Sequence, residues 1–302
     1  MNPVMKLPKI KKFPYTDILG WSVSRYDRFS NCKRQYFYDY YAKFDAEIPL
    51  QKIQQLKSLT SVALETGNIV HDIIKDLLLR LQKTSKPIDK KKFLLYAFEK
   101  TNSYCAAKTF TEVYYKQKDC VTGDDLFPAV EKTLLNFLNS DRLRWIFETA
   151  LKASENWVIE PEGFGETRID KYKAYCKVDY LIPVDGKIHI LDWKTGKPDI
   201  QKHSKQLTGY ALWACYHFDA AFGDILPSIA YLCPSYSESA VELKENDLEN
   251  LKKQVIEETL QMYEYLSDVE KNKPKPKELF EKTDNGFFCK YCNYREICQN
   301  NY

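Results

Sequence analysis

The feature that most constrains the fold is a pair of apolar, β-branched runs joined by Asp185-Gly186, within residues 174–210. Asp-Gly between two such runs is a strong signal for a two-residue β-hairpin loop. With that loop, Val184 faces Lys187, and the pairing of every other position follows from this one pair. The sequence therefore predicts a hairpin with a defined register.

In this register two acidic side chains face each other. Counting back along both strands places Asp179 opposite Asp192, in a non-hydrogen-bonded pair, where side chains approach most closely. Like charges in such a pair are destabilising unless a cation lies between them, and carboxylate oxygens are the ligands that Mg²⁺ and Mn²⁺ prefer. Lys194 follows Asp192 by two residues, so both side chains leave the same face of the strand. We predict a divalent-metal site on this face.

The other face of the hairpin is apolar and predicts core packing. Its residues are Val178, Tyr180, Ile182, Leu191 and Trp193. Beyond the hairpin, residues 195–198 form a predicted turn, and Gln206 and Tyr210 follow four apart on a predicted helix, so they share one helix face.

Composition narrows the class of protein only partly. At 302 residues the chain can bury a full core, either as one large domain with an accessory lobe or as two domains. Its net charge of +3 indicates no particular partner. Residues 1–20 carry no long apolar run, so we expect a flexible segment rather than a signal peptide or membrane anchor. Nine cysteines without a secretory signal favour reduced thiols and a cytoplasmic location.

Residues 21–153 predict a helical lobe. Residues 21–44 have helical spacing, with Ser22 or Ser24 as N-cap, and interleave aromatic with basic side chains. Two interpretations stay open: an aromatic core stripe with a solvated basic face, or a surface that follows a phosphate backbone and stacks on bases. Residues 59–83 predict a long helix that carries His71, with Gly67 one turn earlier allowing another backbone to approach. Further helices are predicted over residues 91–108, 124–139 and 141–153.

Residues 154–272 predict the α/β core. Strands are expected near 157–169, over 228–233 and over 239–243, and a helix over 246–269. Helices on both sides of strands favour a mixed α/β (α+β) fold with a central mixed sheet. Residues 271–277 alternate lysine with proline and predict a linker into the tail, 273–302.

The tail contains three closely spaced cysteines, Cys289, Cys292 and Cys298. In a cytoplasmic chain with reduced thiols, such spacing indicates a metal site. A tetrahedral zinc or a four-iron cluster needs a fourth ligand, for which Cys32 is the candidate. We expect the remaining cysteines to be buried and to pack as small apolar side chains.

Taken in their order along the chain, the motifs resemble those of the PD-(D/E)XK nuclease superfamily, in particular its RecB-like branch with an iron–sulfur cluster. The similar groups are the CRISPR-associated RecB-like exonucleases and the AddB nuclease domain. Asp179 matches the first acidic motif and Asp192-Trp193-Lys194 matches the (D/E)-x-K motif, with aspartate in place of the commoner glutamate.

The other matching motifs extend the resemblance over nearly the whole chain. Gln206-x₃-Tyr210 matches the RecB-type Q-x₃-Y motif, and Gly67-x₃-His71 matches the histidine motif of the branch. Cys32 matches the isolated first cysteine, and Cys289, Cys292 and Cys298 match the C-terminal trio that completes the 4Fe–4S site.

The resemblance implies a restriction-endonuclease-like core and a metal-dependent DNA nuclease, most simply a single-strand exonuclease working with a helicase or other DNA-processing partner. It implies that His71, Asp179, Asp192 and the backbone carbonyl of Trp193 bind Mg²⁺ or Mn²⁺. Lys194 would then position or deprotonate the attacking water and stabilise charge on the phosphate. Gln206 and Tyr210 would position DNA or the other site residues.

Three alternatives stay open. The chain is a nucleic-acid-binding subunit of recombination or defence with weak or partner-dependent nuclease activity, or zinc occupies the cysteine site, or the cysteines serve a redox enzyme. The last is the weakest, because no flavin or nicotinamide fingerprint accompanies them.

Overall fold

A computed structural model describes residues 7–161 and 165–298, apart from the side chain of Lys202. Three parts of the predictions fall outside these residues: the start of the flexible segment (1–6), the middle of the strand region near 157–169 (162–164), and the end of the tail (299–302). No described helix combines the length and apolar character needed to cross a bilayer.

The described strands and helices alternate in a mixed order along the chain. The strands are β1 (Val158–Ile159), β2 (Glu166–Ile169), β3 (Tyr172–Tyr175), β4 (Tyr180–Val184), β5 (Lys187–Lys194), β6 (Ile225–Tyr231), β7 (Ser237–Ala240), β8 (Leu266–Asp268) and β9 (Lys273–Pro274). The α-helices are α1 (Val23–Asn31), α2 (Lys33–Tyr41), α3 (Leu50–Lys57), α4 (Val62–Lys83), α5 (Lys90–Ala107), α6 (Thr111–Tyr114), α7 (Gly123–Leu138), α8 (Asp141–Glu148), α9 (Ile200–Phe218), α10 (Glu245–Tyr263), α11 (Gly286–Lys290) and α12 (Arg295–Cys298).

The central sheet has the order β1-β4-β5-β6-β7. All its neighbours are antiparallel except β5 and β6, which run parallel and are joined through α9. A parallel pair requires such a crossover, because the chain must return to the same end of the sheet. The prediction of a mixed sheet flanked by helices is confirmed.

The hairpin at Asp185-Gly186 has the predicted register. Val184 pairs with Lys187, and the pairing continues to Tyr180 and Leu191 at the other end of β4. Asp185 and Gly186 have φ values of 53° and 75°, as a two-residue turn with two left-handed positions requires. The register prediction is confirmed, and it brings Asp179, the residue before β4, to the level of Asp192.

Both faces of β4 and β5 are buried. Tyr180, Leu191 and Trp193 pack against α4 and α7, whereas Leu181 and Ile190 pack beneath α9. The sequence pattern predicted only the first face as core. It also placed Val178 on that face, but Val178 lies in the cluster beneath α9, since it precedes β4 and escapes the strict alternation of the strand.

The aromatic segment 21–44 is two helices, α1 and α2, separated at Cys32. Of the two predicted candidates, Ser22 is the N-cap of α1, and its Oγ accepts a hydrogen bond from Arg25 N–H at 3.1 Å. Cys32 has φ −161° and ψ 109°, an extended conformation that interrupts the helix. Most aromatic side chains here are buried, which favours the core-stripe interpretation. The buried members are Trp21, Phe29, Tyr36, Phe37, Tyr38 and Tyr41.

Two predictions about the C-terminal third are corrected. The helix over 246–269 ends at Tyr263, because the chain then forms β8 and pairs with β9. Residues 271–277 are consequently not an extended linker: they supply β9, and Lys277 is buried beside Asp45, 3.1 Å from its Oδ1. Helix α3 was not predicted from the sequence.

Candidate active site and cysteine cluster

The structure brings three predicted metal ligands to the end of the hairpin. The Asp192 side chain, in β5, is almost fully buried, and Trp193 N–H donates to Asp179 Oδ2 at 3.2 Å. Helix α4 crosses at this point, and His71 Nδ1 lies 3.4 Å from the same Asp179 oxygen. The Trp193 ring points away, into the core, where it meets Phe137 edge to face at 5.1 Å.

The other predicted site residues form a closed network with Asp192. Lys194 Nζ lies 2.5 Å from Asp192 Oδ2 and donates to Gln206 Oε1 at 2.8 Å. Gln206 Nε2 donates to the Tyr210 hydroxyl, and that hydroxyl donates to Asp192 Oδ1 at 3.3 Å. Because Gln206 and Tyr210 are four residues apart on α9, one helix face completes the ring.

Burial and neighbouring charge set the electrostatics of the site. Burial raises the pKa of Asp179 to about 6; Asp192 also raises it, while His71 and Lys194 act in the opposite direction. Burial, and then the two aspartates, hold the Tyr210 pKa well above its ordinary value. A site that disfavours a second negative charge is one that gains from a bound cation.

The hydrogen bonding of one carboxylate oxygen indicates whether the site suits a cation. Asp192 Oδ2 is buried and lacks an aligned hydrogen bond, although Lys194 Nζ is close to it. Two carboxylates and an imidazole suit Mg²⁺ or Mn²⁺, because Mg²⁺ usually keeps several waters and takes only one or two carboxylates from the protein. The donor chemistry therefore fits a divalent ion.

Two contacts at the site were missed in the sequence. A Cβ added to Gly67 would lie 3.0 Å from Thr195 Oγ1. The group that approaches this glycine closely is therefore the Thr195 hydroxyl and not, as we expected, another backbone segment. Glu160, just after β1, donates its backbone N–H to Asp179 O at 3.0 Å. Both contacts join residues far apart in the chain, and no local motif marks them.

The four predicted cluster cysteines line one pocket. Cys32 caps α2, and Cys289, Cys292 and Cys298 come from α11, α12 and the turn between them. No disulfide joins any of the nine cysteines, all of which the structure describes. The Cys292 pKa is raised to about 12, mainly by burial, and the neighbouring Cys32 and Cys298 act in the same direction. Four converging thiols are the ligand number for zinc or a 4Fe–4S cluster.

Neither site is a closed metal cage as it stands. Within residues 7–161 and 165–298, no three or more His, Cys, Asp or Glu side chains are close enough together to hold a metal ion.

Comparison with known proteins identifies the family. The family description "PD-(D/E)XK nuclease superfamily" matches residues 20–299. Among solved structures, the chain is similar to one described as the crystal structure of SSO0001, with 20% identity, 62% of this chain and 78% of that chain covered, and a TM-score of 0.31. No curated protein matches. Because the family match spans most of the sequence and the fold is a mixed α/β one, the chain belongs to the PD-(D/E)XK nuclease superfamily.

Proposed function

We propose that the protein is a metal-dependent DNA exonuclease that acts on single strands and carries a 4Fe–4S cluster. Membership of the superfamily implies a nuclease, and such nucleases typically use Mg²⁺ or Mn²⁺. The observation that carries the proposal is the convergence of Asp179, Asp192 and Lys194 at one end of the hairpin. Exonucleolytic action, single-strand preference and a helicase-like partner rest on the motif resemblance.

Each residue has a distinct role in this proposal. Asp179, Asp192, His71 and the Trp193 carbonyl would hold the divalent ion, which when bound supplies Lewis-acid chemistry and a water of lowered pKa. Lys194 offers its ammonium to the charge that develops on the scissile phosphate.

Gln206 and Tyr210 act through other residues. Gln206 holds the Lys194 ammonium, and Tyr210 holds the Asp192 carboxylate. Preorganised groups of this kind lower the barrier because they need no reorientation during the reaction.

The decisive experiment is degradation of end-labelled single-stranded and duplex DNA with Mg²⁺ or Mn²⁺. We expect the anaerobically purified protein to degrade single strands from an end, EDTA to abolish the activity, and Asp192→Ala and Lys194→Ala to reduce it by at least about 100-fold. Lys187→Ala is the matched control, because Lys187 is at the opposite end of the same strand. DNA binding without cleavage by the wild-type protein would instead indicate a binding subunit or a partner-dependent enzyme.

The cluster proposal has its own test. Iron and sulfide analysis and visible absorption of anaerobic protein should report a 4Fe–4S cluster that Cys292→Ser loses. Cys120→Ser is the control, since Cys120 is exposed and outside the pocket. Stoichiometric zinc in a colourless protein would reject the iron–sulfur assignment.

A further inference from the structure

A cluster of two lysines and one glutamate lies beside the candidate active site. Lys75 Nζ and Lys177 Nζ are each 2.9 Å from the same oxygen, Oε2 of Glu160. Lys75 is one helical turn after His71 on α4, and Lys177 is two residues before Asp179. The elements that carry two candidate metal ligands therefore also carry the two cations.

Glu160 connects this cluster to the site. Its backbone N–H donates to Asp179 O at 3.0 Å, and its own φ is 39°, a conformation that non-glycine residues seldom adopt. Such a backbone persists where surrounding contacts hold it, and it is common at functional sites. These contacts hold the backbone of Glu160 beside that of Asp179.

The cations are outside and the carboxylate is inside. The Glu160 side chain is 10% exposed, against 34% for Lys75 and 55% for Lys177. An ammonium has three N–H donors, and each lysine uses one of them on Glu160. Within this cluster one carboxylate balances one of the two cations, so the three residues together carry one positive charge, and the partly exposed ammonium groups have donors left for solvent.

We propose that Lys75 and Lys177 bind a non-scissile backbone phosphate of single-stranded DNA, with Glu160 holding the two ammonium groups in place. This inference rests on the proposed function for the identity of the nucleic acid. A phosphate here places the adjoining phosphodiester next to Asp179 and His71. The lysines thereby set which bond along the strand enters the site.

The test is the salt dependence of DNA binding, measured in EDTA so that no cleavage occurs. For an end-labelled oligothymidylate, we expect Lys75→Gln and Lys177→Gln each to weaken binding several-fold and to reduce the slope of log K against log salt by about 0.7. Lys75→Arg should show the slope of the wild-type protein, because arginine retains the positive charge. Lys187→Gln is the matched control: Lys187 also pairs with one carboxylate, that of Asp224 at 2.7 Å, far from the site.

Glu160→Gln separates the binding role from a purely structural one. It keeps the backbone hydrogen bond to Asp179 and a side-chain oxygen that can accept from both ammonium groups, but it removes the negative charge, so we expect binding to become several-fold tighter. If the three residues only stabilise the fold, all three variants will lower the melting temperature and leave the salt slope unchanged, which overturns the inference.

The two proposals fail in different ways. Unchanged slopes in both lysine variants of a protein that cleaves DNA would overturn the phosphate site alone. Reduced slopes in a protein that never cleaves would support the phosphate site and contradict the proposal of a nuclease that acts without a partner.

Discussion

Tyr210 is a positioning residue of the candidate site, because its hydroxyl connects Gln206 to Asp192. We expect Tyr210→Phe to lower kcat by about five- to tenfold, the equivalent of one lost hydrogen bond of roughly 1 kcal/mol. The substrate KM should change little, because the hydroxyl faces the protein. Steady-state cleavage of a labelled oligonucleotide measures both constants.

Tyr180→Phe is the matched control at the residue scale. Tyr180 is a buried tyrosine of the same sheet, and its hydroxyl has no hydrogen-bond partner among the described residues. Its removal should leave kcat unchanged and stability equal or higher, because a buried, unpaired hydroxyl is unfavourable. Equal losses in both variants would mean that Tyr210 contributes packing rather than positioning.

At the scale of the element, the β4–β5 hairpin depends on its turn. Gly186 has φ 75° and nothing within 4 Å of an added Cβ, so a side chain there meets only backbone strain. We expect Gly186→Ala to reduce the free energy of unfolding by about 1 kcal/mol. Urea denaturation followed by circular dichroism measures this change.

Gly223 provides the comparison for that turn. It also has open space around an added Cβ, but its φ lies outside the left-handed region. Gly223→Ala should therefore be neutral or slightly stabilising, because it restricts the unfolded chain. A Gly186→Ala variant as stable as Gly223→Ala would contradict the strained-turn account of the hairpin.

At the scale of the whole molecule, the C-terminal residues pack against the N-terminal helices. Lys277 is buried with Asp45, whose side chain is fully covered, and Tyr294 donates to Asp39 Oδ1 at 2.6 Å. We expect Lys277→Met to destabilise the protein by about 2–3 kcal/mol, because Asp45 loses its buried cation. The cost stays moderate because the Asp45 carboxylate also accepts the N–H groups of Glu47 and Ile48.

Lys271→Met is the control from the same segment. Lys271 is 81% exposed and 3.9 Å from Asp268, so its loss should change stability by less than about 0.5 kcal/mol. Thermal melts of both variants distinguish the two positions. A Lys277→Met protein as stable as Lys271→Met would mean that the tail does not depend on this ion pair.

Features that depend only on residues close together in the chain could be predicted from the sequence. Strand periodicity and the Asp185-Gly186 turn were enough for the hairpin register, and the spacing of Gln206 and Tyr210 placed them on one helix face. The start of the first helix was narrowed to Ser22 or Ser24 as its cap. These features follow from local backbone geometry, which a short segment already contains.

Contacts between segments that are far apart in the chain could be seen only in the folded structure. It brought His71 and Glu160 to Asp179, buried β4 and β5 on both faces, and turned the predicted linker into β9 and a buried Lys277. Such contacts depend on how helices pack over the sheet, and packing is set by the shape and volume of many side chains at once. No local pattern in the chain carries that information.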